Sequence, residues 1–101
     1  MRTLGIIGGT GPESTIEYYR RLIAAYRVRS TKGRAPSLLI NSVDDKKLID
    51  LVTANEFTQM ADYLVGEVER LARAGAGLAL IAANTPHRVV DVLQKRSPIP
   101  M

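Results

Sequence analysis

The sequence of 101 residues contains no cysteine or tryptophan, and only one histidine and one phenylalanine. The chain therefore has no disulfide, no thiolate ligand for a metal and no cysteine nucleophile, and a single imidazole argues against a zinc site. No apolar run approaches the roughly eighteen residues that a membrane-spanning helix needs, and the first residues lack the pattern of a signal peptide. We therefore expect no metal, no membrane partner and a cytoplasmic location.

Basic side chains outnumber acidic ones by 14 to 10, which gives a net charge of +4. The excess is concentrated between residues 20 and 34, where six Lys and Arg side chains follow one another with no acid among them. Such a run is typical either of a solvated helix face with its loop or of a nucleic-acid patch. Because no aromatic residue is usefully interleaved for base stacking and no nucleic-acid motif accompanies the run, we favour the solvated face and expect no nucleic-acid partner.

Apolar runs of strand length alternate with segments of helical periodicity. The runs at residues 3–7, 37–41 and 78–82 are short and end at glycine or small polar residues, as buried strands do. Between and after them, apolar positions recur every three or four residues, which is the spacing of one helix face. Crossovers of this length join parallel strands. The pattern predicts a three-layer α/β fold, in which a mostly parallel sheet has helices on both faces.

Small polar residues mark the expected helix starts, because their side chains can accept from the free N–H groups of the first turn. The third helix is expected to end at Gly75, a usual residue after a helix, and Pro86 suits the first position of the fourth. The expected caps are Ser14 or Thr15, Asp44 or Asp45, Asn55, and Thr85.

The last five residues, 97–101, have the composition of a linker entering a fourth strand. We therefore expect the chain to be truncated near the start of that strand.

Two turns between a strand and a helix carry the candidate binding groups. The apolar run of residues 78–82 is followed by Asn84 and Thr85, an amide and a hydroxyl beside helix N–H groups suited to an anion. Alone, this segment is more typical of a plain cap and turn. Residues 4–15 repeat the strand–turn–helix form. If the two strands are neighbours, turns 9–11 and 83–85 meet at one sheet edge and form one wall of a pocket for a small anion.

The glycine-rich turn does not fit the common nucleotide motifs. Ser14 stands where the dinucleotide fingerprint has its third glycine, Pro12 lies inside the loop, and the second predicted strand ends without an acid placed to hold a ribose. The loop also lacks the lysine of a phosphate-binding loop. We therefore expect no nucleotide cofactor.

Four segments together resemble the first half of the aspartate/glutamate racemase family, most closely its aspartate racemase branch. They are Gly-Gly-Thr-Gly-Pro-Glu-Ser-Thr at residues 8–15, the Tyr-Tyr pair at 18–19, Asn-Ser-Val-Asp at 41–44 and Asn-Thr-Pro-His at 84–87. The resemblance implies two similar α/β domains with the active site in the cleft between them, no pyridoxal phosphate or other cofactor, and a homodimer for the full-length protein. Residues 1–101 would then be the N-terminal α/β domain, with the second domain absent. It also implies that Thr10, Asn84 and Thr85 bind a small dicarboxylic amino acid.

One position departs from this family. Family members carry two acid/base side chains, usually one cysteine from each domain, and the first precedes the Asn-Thr pair, where this chain has Ala83. A methyl group cannot transfer a proton, and neither Thr85 nor His87 is an obvious substitute, so no catalytic residue is assigned. The second cysteine would belong to the absent half.

Three functions remain open for the parent protein. It is a cofactor-independent amino-acid racemase of the aspartate/glutamate type, a one-base relative such as a decarboxylase or isomerase, or a non-catalytic binder of dicarboxylates. We favour the racemase. The 101 residues alone are expected to be inactive in each case, because half of the cleft is missing.

Overall fold

The computed structural model describes residues 3–9, 12–30, 32, 36–82 and 86–101. Within these ranges, three strands alternate with four helices, as the sequence pattern predicts. In order they are β1 (Thr3–Gly8), α1 (Pro12–Arg29), β2 (Leu38–Ser42), α2 (Asp45–Thr53), α3 (Phe57–Arg73), β3 (Ala76–Ile81) and α4 (His87–Arg96).

The strands form one parallel sheet in the order β2-β1-β3. The central strand β1 pairs with both neighbours, and Ile7 lies opposite Asn41 of β2 and Ile81 of β3. The predicted parallel α/β fold is therefore confirmed. The strand bounds differ from the prediction by one or two residues, and the pairing of β1 with β3 is irregular near Thr3 and Leu4.

Helices cover both faces of the sheet, and two glycines of β1 show which helix lies on each. A Cβ built on Gly5 would meet Leu71 of α3, whereas one built on Gly8 would meet Thr15 of α1. Residues three apart on a strand point to opposite faces. Helix α3 therefore packs on one face, where it contributes more side chains to the core than any other element, and α1 lies on the other.

Of the capping residues predicted for α1, α2 and α3, two are wrong and one is confirmed. Helix α1 already begins at Pro12, so Ser14 and Thr15 lie within its first turn and do not cap it. Asn55 is not the cap of α3, since Glu56 takes that position, and Asn55 has a left-handed φ of 57° in the tight connection after α2. Asp44 does cap α2, and its carboxylate accepts from the N–H of Lys47.

A glycine follows the end of α3, and a proline precedes the start of α4. Helix α3 ends at Arg73, and Gly75 follows with a φ of 109°, which an L side chain rarely adopts. Pro86 precedes α4 with an extended ψ of 138° and is not its first helical residue, so that prediction is wrong. The predicted cap Thr85 lies outside the described residues.

The C-terminal segment reaches the outer edge of β3. The carbonyl of Pro100 accepts from the N–H of Ala79 at 2.9 Å, and Ile99 and Met101 pack against the core. Among the described residues no fourth strand is formed, but this segment lies where a strand beside β3 would begin.

The two faces of the sheet are covered unequally. None of the α1 side chains that the structure describes is buried, and Ile16 and Tyr19 of α1 and Ile40 of β2 are 49%, 44% and 43% exposed. The opposite face contains fully buried side chains such as Leu64 and Leu93. Within the described part of the chain, no helix is both long and apolar enough to cross a membrane.

Candidate active site

The carboxyl ends of all three strands lie side by side at one edge of the sheet. Beyond β2, the N–H of Val43 donates to the carbonyl of Gly8, and beyond β3, the N–H of Ala82 donates to that of Ile7, both at 2.8 Å. These bonds continue the parallel pairing by one residue past each outer strand. In open α/β sheets, this edge is where small ligands bind.

Gly9 is the first residue after β1, and its neighbours leave no room for a side chain. Its φ is 91°. A Cβ there would lie 2.5 Å from Ser42 Oγ and 2.8 Å from the carbonyl oxygen of Val43. The N–H of Gly9 donates to Thr15 Oγ1 at 3.0 Å. The start of the glycine-rich turn is therefore held between α1 and the end of β2.

A buried carboxylate of α3 accepts a hydrogen bond from the end of β2. Glu67 of α3 is 8% exposed, and the amide nitrogen of Asn41 donates to its Oε2 at 2.7 Å and to its backbone carbonyl at 3.2 Å. Arg70 lies 3.6 Å from the same oxygen, but its side chain is largely exposed. The pair ties the second-last residue of β2 to the middle of α3. Nothing in the sequence indicates this burial, because Glu67 falls among charged positions of an amphipathic helix.

A second cluster lies where β2 leads into α2. The Tyr63 hydroxyl accepts from the N–H of Asp44 at 3.2 Å, and the Lys47 ammonium lies 4.5 Å from the centroid of the Tyr63 ring. A cation over an aromatic face is attracted by the ring quadrupole. The neighbouring Lys46 ammonium bonds to Asp50 at 2.9 Å, and this hydrogen bond raises the pKa of Lys46. Tyr63 therefore joins α3 to the start of α2 beside the sheet edge.

An open depression of about 480 Å³ follows the first half of α1. Its lining among the described residues is polar and charged: Glu13, Ser14, Glu17, Tyr18 and Arg21. Glu17 and Arg21 form an exposed ion pair at 2.7 Å. In the part of the chain that the structure describes, no three Asp, Glu, His or Cys side chains are placed to share a metal ion.

The predicted binding residues Thr10, Asn84 and Thr85 lie outside the described residues, as does Ala83 at the acid/base position. The side chain of His87 is likewise outside the description. The residues that flank the two turns are described. Gly9 and Ala82 follow neighbouring strands at the same edge of the sheet. The strands that lead into the two turns are therefore neighbours, as the prediction of a shared pocket wall requires.

These features define a parallel α/β fold whose candidate binding edge is formed by the carboxyl ends of its strands. The sequence profile of the Asp/Glu/hydantoin racemase family matches residues 7–101, and the chain belongs to this family.

Solved structures agree with this assignment. A candidate Asp/Glu racemase from Yersinia pestis is similar over 99% of this chain, with 29% identity and a TM-score of 0.92. An aspartate racemase homologue from Pyrococcus horikoshii is similar over the whole chain, with 39% identity and a TM-score of 0.88. This chain spans 44% of the length of each of those two chains.

Proposed function

We propose that this chain supplies the first half of a cofactor-independent amino-acid racemase site for a small dicarboxylic amino acid, aspartate or glutamate. The observation that carries the proposal is the adjacency of β1 and β3, whose ends lead into the two turns with Thr10, Asn84 and Thr85. Family membership supports the reaction class. On this proposal, residues 1–101 form the N-terminal domain, and a second half closes the cleft.

The chemistry demands such a wall of donors. The α-hydrogen of an amino acid is a very weak acid, so its removal builds charge that must be stabilised by donors already in place around the carboxylate. On our proposal, Asn84 and Thr85 hold the carboxylate or the amino group, and Thr10 lies beside the reacting carbon. One acid/base group removes a proton from that carbon, and a group on the opposite side returns another. Because Ala83 provides no such group, a racemase built on this chain needs a water molecule on that side.

Ala83 favours a second candidate function. The family's first acid/base position holds a methyl group here, which cannot accept a proton. An enzyme with one acid/base group, supplied by the second half, would exchange or replace a proton on one face only. A one-base decarboxylase or isomerase is therefore our alternative, and a non-catalytic dicarboxylate binder is the third.

Binding is tested on the 101-residue chain by amide NMR. We expect L-aspartate to shift the amides of Gly8, Gly9 and Ala82 at the sheet edge, with L-alanine as the control that lacks the second carboxylate. Shifts confined to other surfaces, or no shifts up to the solubility limit of L-aspartate, would contradict the proposed site.

The reaction is tested by joining this chain to the part of the Pyrococcus horikoshii homologue that the match does not cover, and by following the α-proton of L-aspartate in D₂O. Exchange with inversion supports a racemase, and exchange with retention supports the one-base enzyme. Binding without exchange in this chimera, and in its Ala83→Cys variant, supports the binder. We expect the 101-residue chain alone to bind without exchange.

A further inference from the structure

The geometry points to Thr15 as the positioning residue for Gly9, the residue that follows β1 and begins the glycine-rich turn. This inference rests on the proposed function, since it concerns how one wall of that site is held before substrate arrives. Thr15 lies in the first turn of α1 and reaches back to the end of the strand. It touches backbone, not substrate, so its effect passes through Gly9.

The first observation is steric. A Cβ built on Gly8 would lie 2.6 Å from Thr15 Oγ1 and 2.7 Å from Thr15 Cγ2, so the threonine side chain occupies the space that any larger residue at this position would need. Both branches of the side chain are in contact with the strand. The start of α1 is thereby fitted against the last residue of β1, and the two ends of the turn are held at a set separation.

The second observation is the hydrogen bond. The N–H of Gly9 donates to Thr15 Oγ1 at 3.0 Å, while Ser42 Oγ and the backbone of Val43 close the other side of Gly9. The backbone of Gly9 is in the left-handed region, which glycine adopts without steric cost, and this bond selects one conformation from those open to it. Thr15 is thus the acceptor that fixes the residue preceding Thr10.

The position of Gly9 links this contact to binding. Gly9 follows β1 at the sheet edge that we propose as the binding wall, and the bond to Thr15 joins it to the first turn of α1. Thr15 therefore holds the described start of that wall in place. A loop that is ordered in advance loses less conformational freedom when a ligand binds, and this raises affinity without any new contact to the ligand.

Two variants separate the hydrogen bond from the packing. Thr15→Val keeps both branches of the side chain but removes the acceptor, whereas Thr15→Ser keeps the acceptor and removes one methyl group. In the 101-residue chain, Thr15→Val should speed hydrogen exchange at the Gly9 amide and weaken L-aspartate binding, each by about tenfold, the value of a typical net hydrogen bond. Thr15→Ser should stay within about twofold of the wild type in both measurements.

A purely structural role would give a different result. It would lower the stability of both variants, and the hydrogen-exchange rate of the Gly9 amide would change no more than that of other amides. Equal Gly9 exchange in the wild type and Thr15→Val overturns the inference, as does unchanged L-aspartate affinity in Thr15→Val. If the wild type binds no L-aspartate but Gly9 exchange follows the expected order, the proposed substrate is refuted while the anchoring by Thr15 is supported. Unchanged amide shifts of Leu64 in α3 verify that each variant keeps the fold.

Discussion

Removing the amide of Asn41 should destabilise the fold more than removing the carboxylate that it binds. Asn41→Ala leaves the Glu67 carboxylate almost fully buried; among the described residues, the remaining cation beside it is the exposed Arg70 guanidinium, 3.6 Å away. A buried charge that loses its partner retains its desolvation penalty, so we expect a loss of about 2–3 kcal/mol in the free energy of unfolding.

Substitutions of Glu67 should lower the free energy of unfolding less than Asn41→Ala does. In Glu67→Ala, the buried charge disappears together with its acceptor, and the Asn41 amide keeps its 3.2 Å bond to the backbone carbonyl of residue 67. We expect a loss of about 1–2 kcal/mol. Glu67→Gln retains the shape and an acceptor oxygen, and it should cost less than about 1.5 kcal/mol. The double variant Asn41→Ala with Glu67→Ala should be more stable than Asn41→Ala alone, because no unpaired charge remains.

Urea unfolding of the four variants tests this order, with midpoints and slopes compared to detect any change in the denatured state. Glu69→Ala on the same helix is a matched control, since Glu69 is exposed and its loss should change stability by no more than about 0.5 kcal/mol. If Asn41→Ala is as stable as Glu67→Ala, or if the double variant is the least stable of the set, the reasoning about the buried charge is refuted.

Two further substitutions test the turn and the core. Gly9→Ala should lower the free energy of unfolding by about 1–2 kcal/mol, because a φ of 91° is strained for an L side chain and the new methyl group meets Ser42 and Val43. Equal urea midpoints for variant and wild type would show that the turn relaxes freely. Leu64→Ala should cost about 3 kcal/mol, since Leu64 is 1% exposed at the centre of the core formed by α3, and a loss below about 1 kcal/mol in urea unfolding would mean that the core collapses around the missing side chain.

Local chemistry explains which features were predictable from sequence. The three strands, the amphipathic stripe of α3, the Asp44 cap and the glycine after α3 all depend on residues within a few positions of one another. Hydrophobic periodicity and capping act over that range, so the α/β alternation could be read directly. Two predicted caps were wrong, because a helix can begin without a typical capping side chain. Helix α1 begins at Pro12 and Glu56 precedes α3, although polar residues better suited to capping stand nearby in the sequence.

Only part of the candidate site could be predicted from the sequence. The Gly-Gly turn and the Asn-Thr pair were recognisable as motifs, and they led to the racemase family that residues 7–101 match. Their mutual arrangement was only a hypothesis, because the two motifs are more than 70 residues apart in the printed sequence. The contacts that surround Gly9 were not predictable, since Ser42 and Thr15 come from two other elements. The burial of Glu67 was hidden because exposure depends on what packs over a helix face.

The sequence by itself determined the class of fold, the family and the types of polar group available at the two turns, since each of these is encoded in composition, periodicity or a contiguous motif. The tertiary structure alone decided that β1 and β3 are neighbours, that Thr15 holds the backbone of Gly9, and that Asn41 binds a buried carboxylate. The physical reason is that these contacts join different strands and helices, and their energies exist only once folding has brought those elements together.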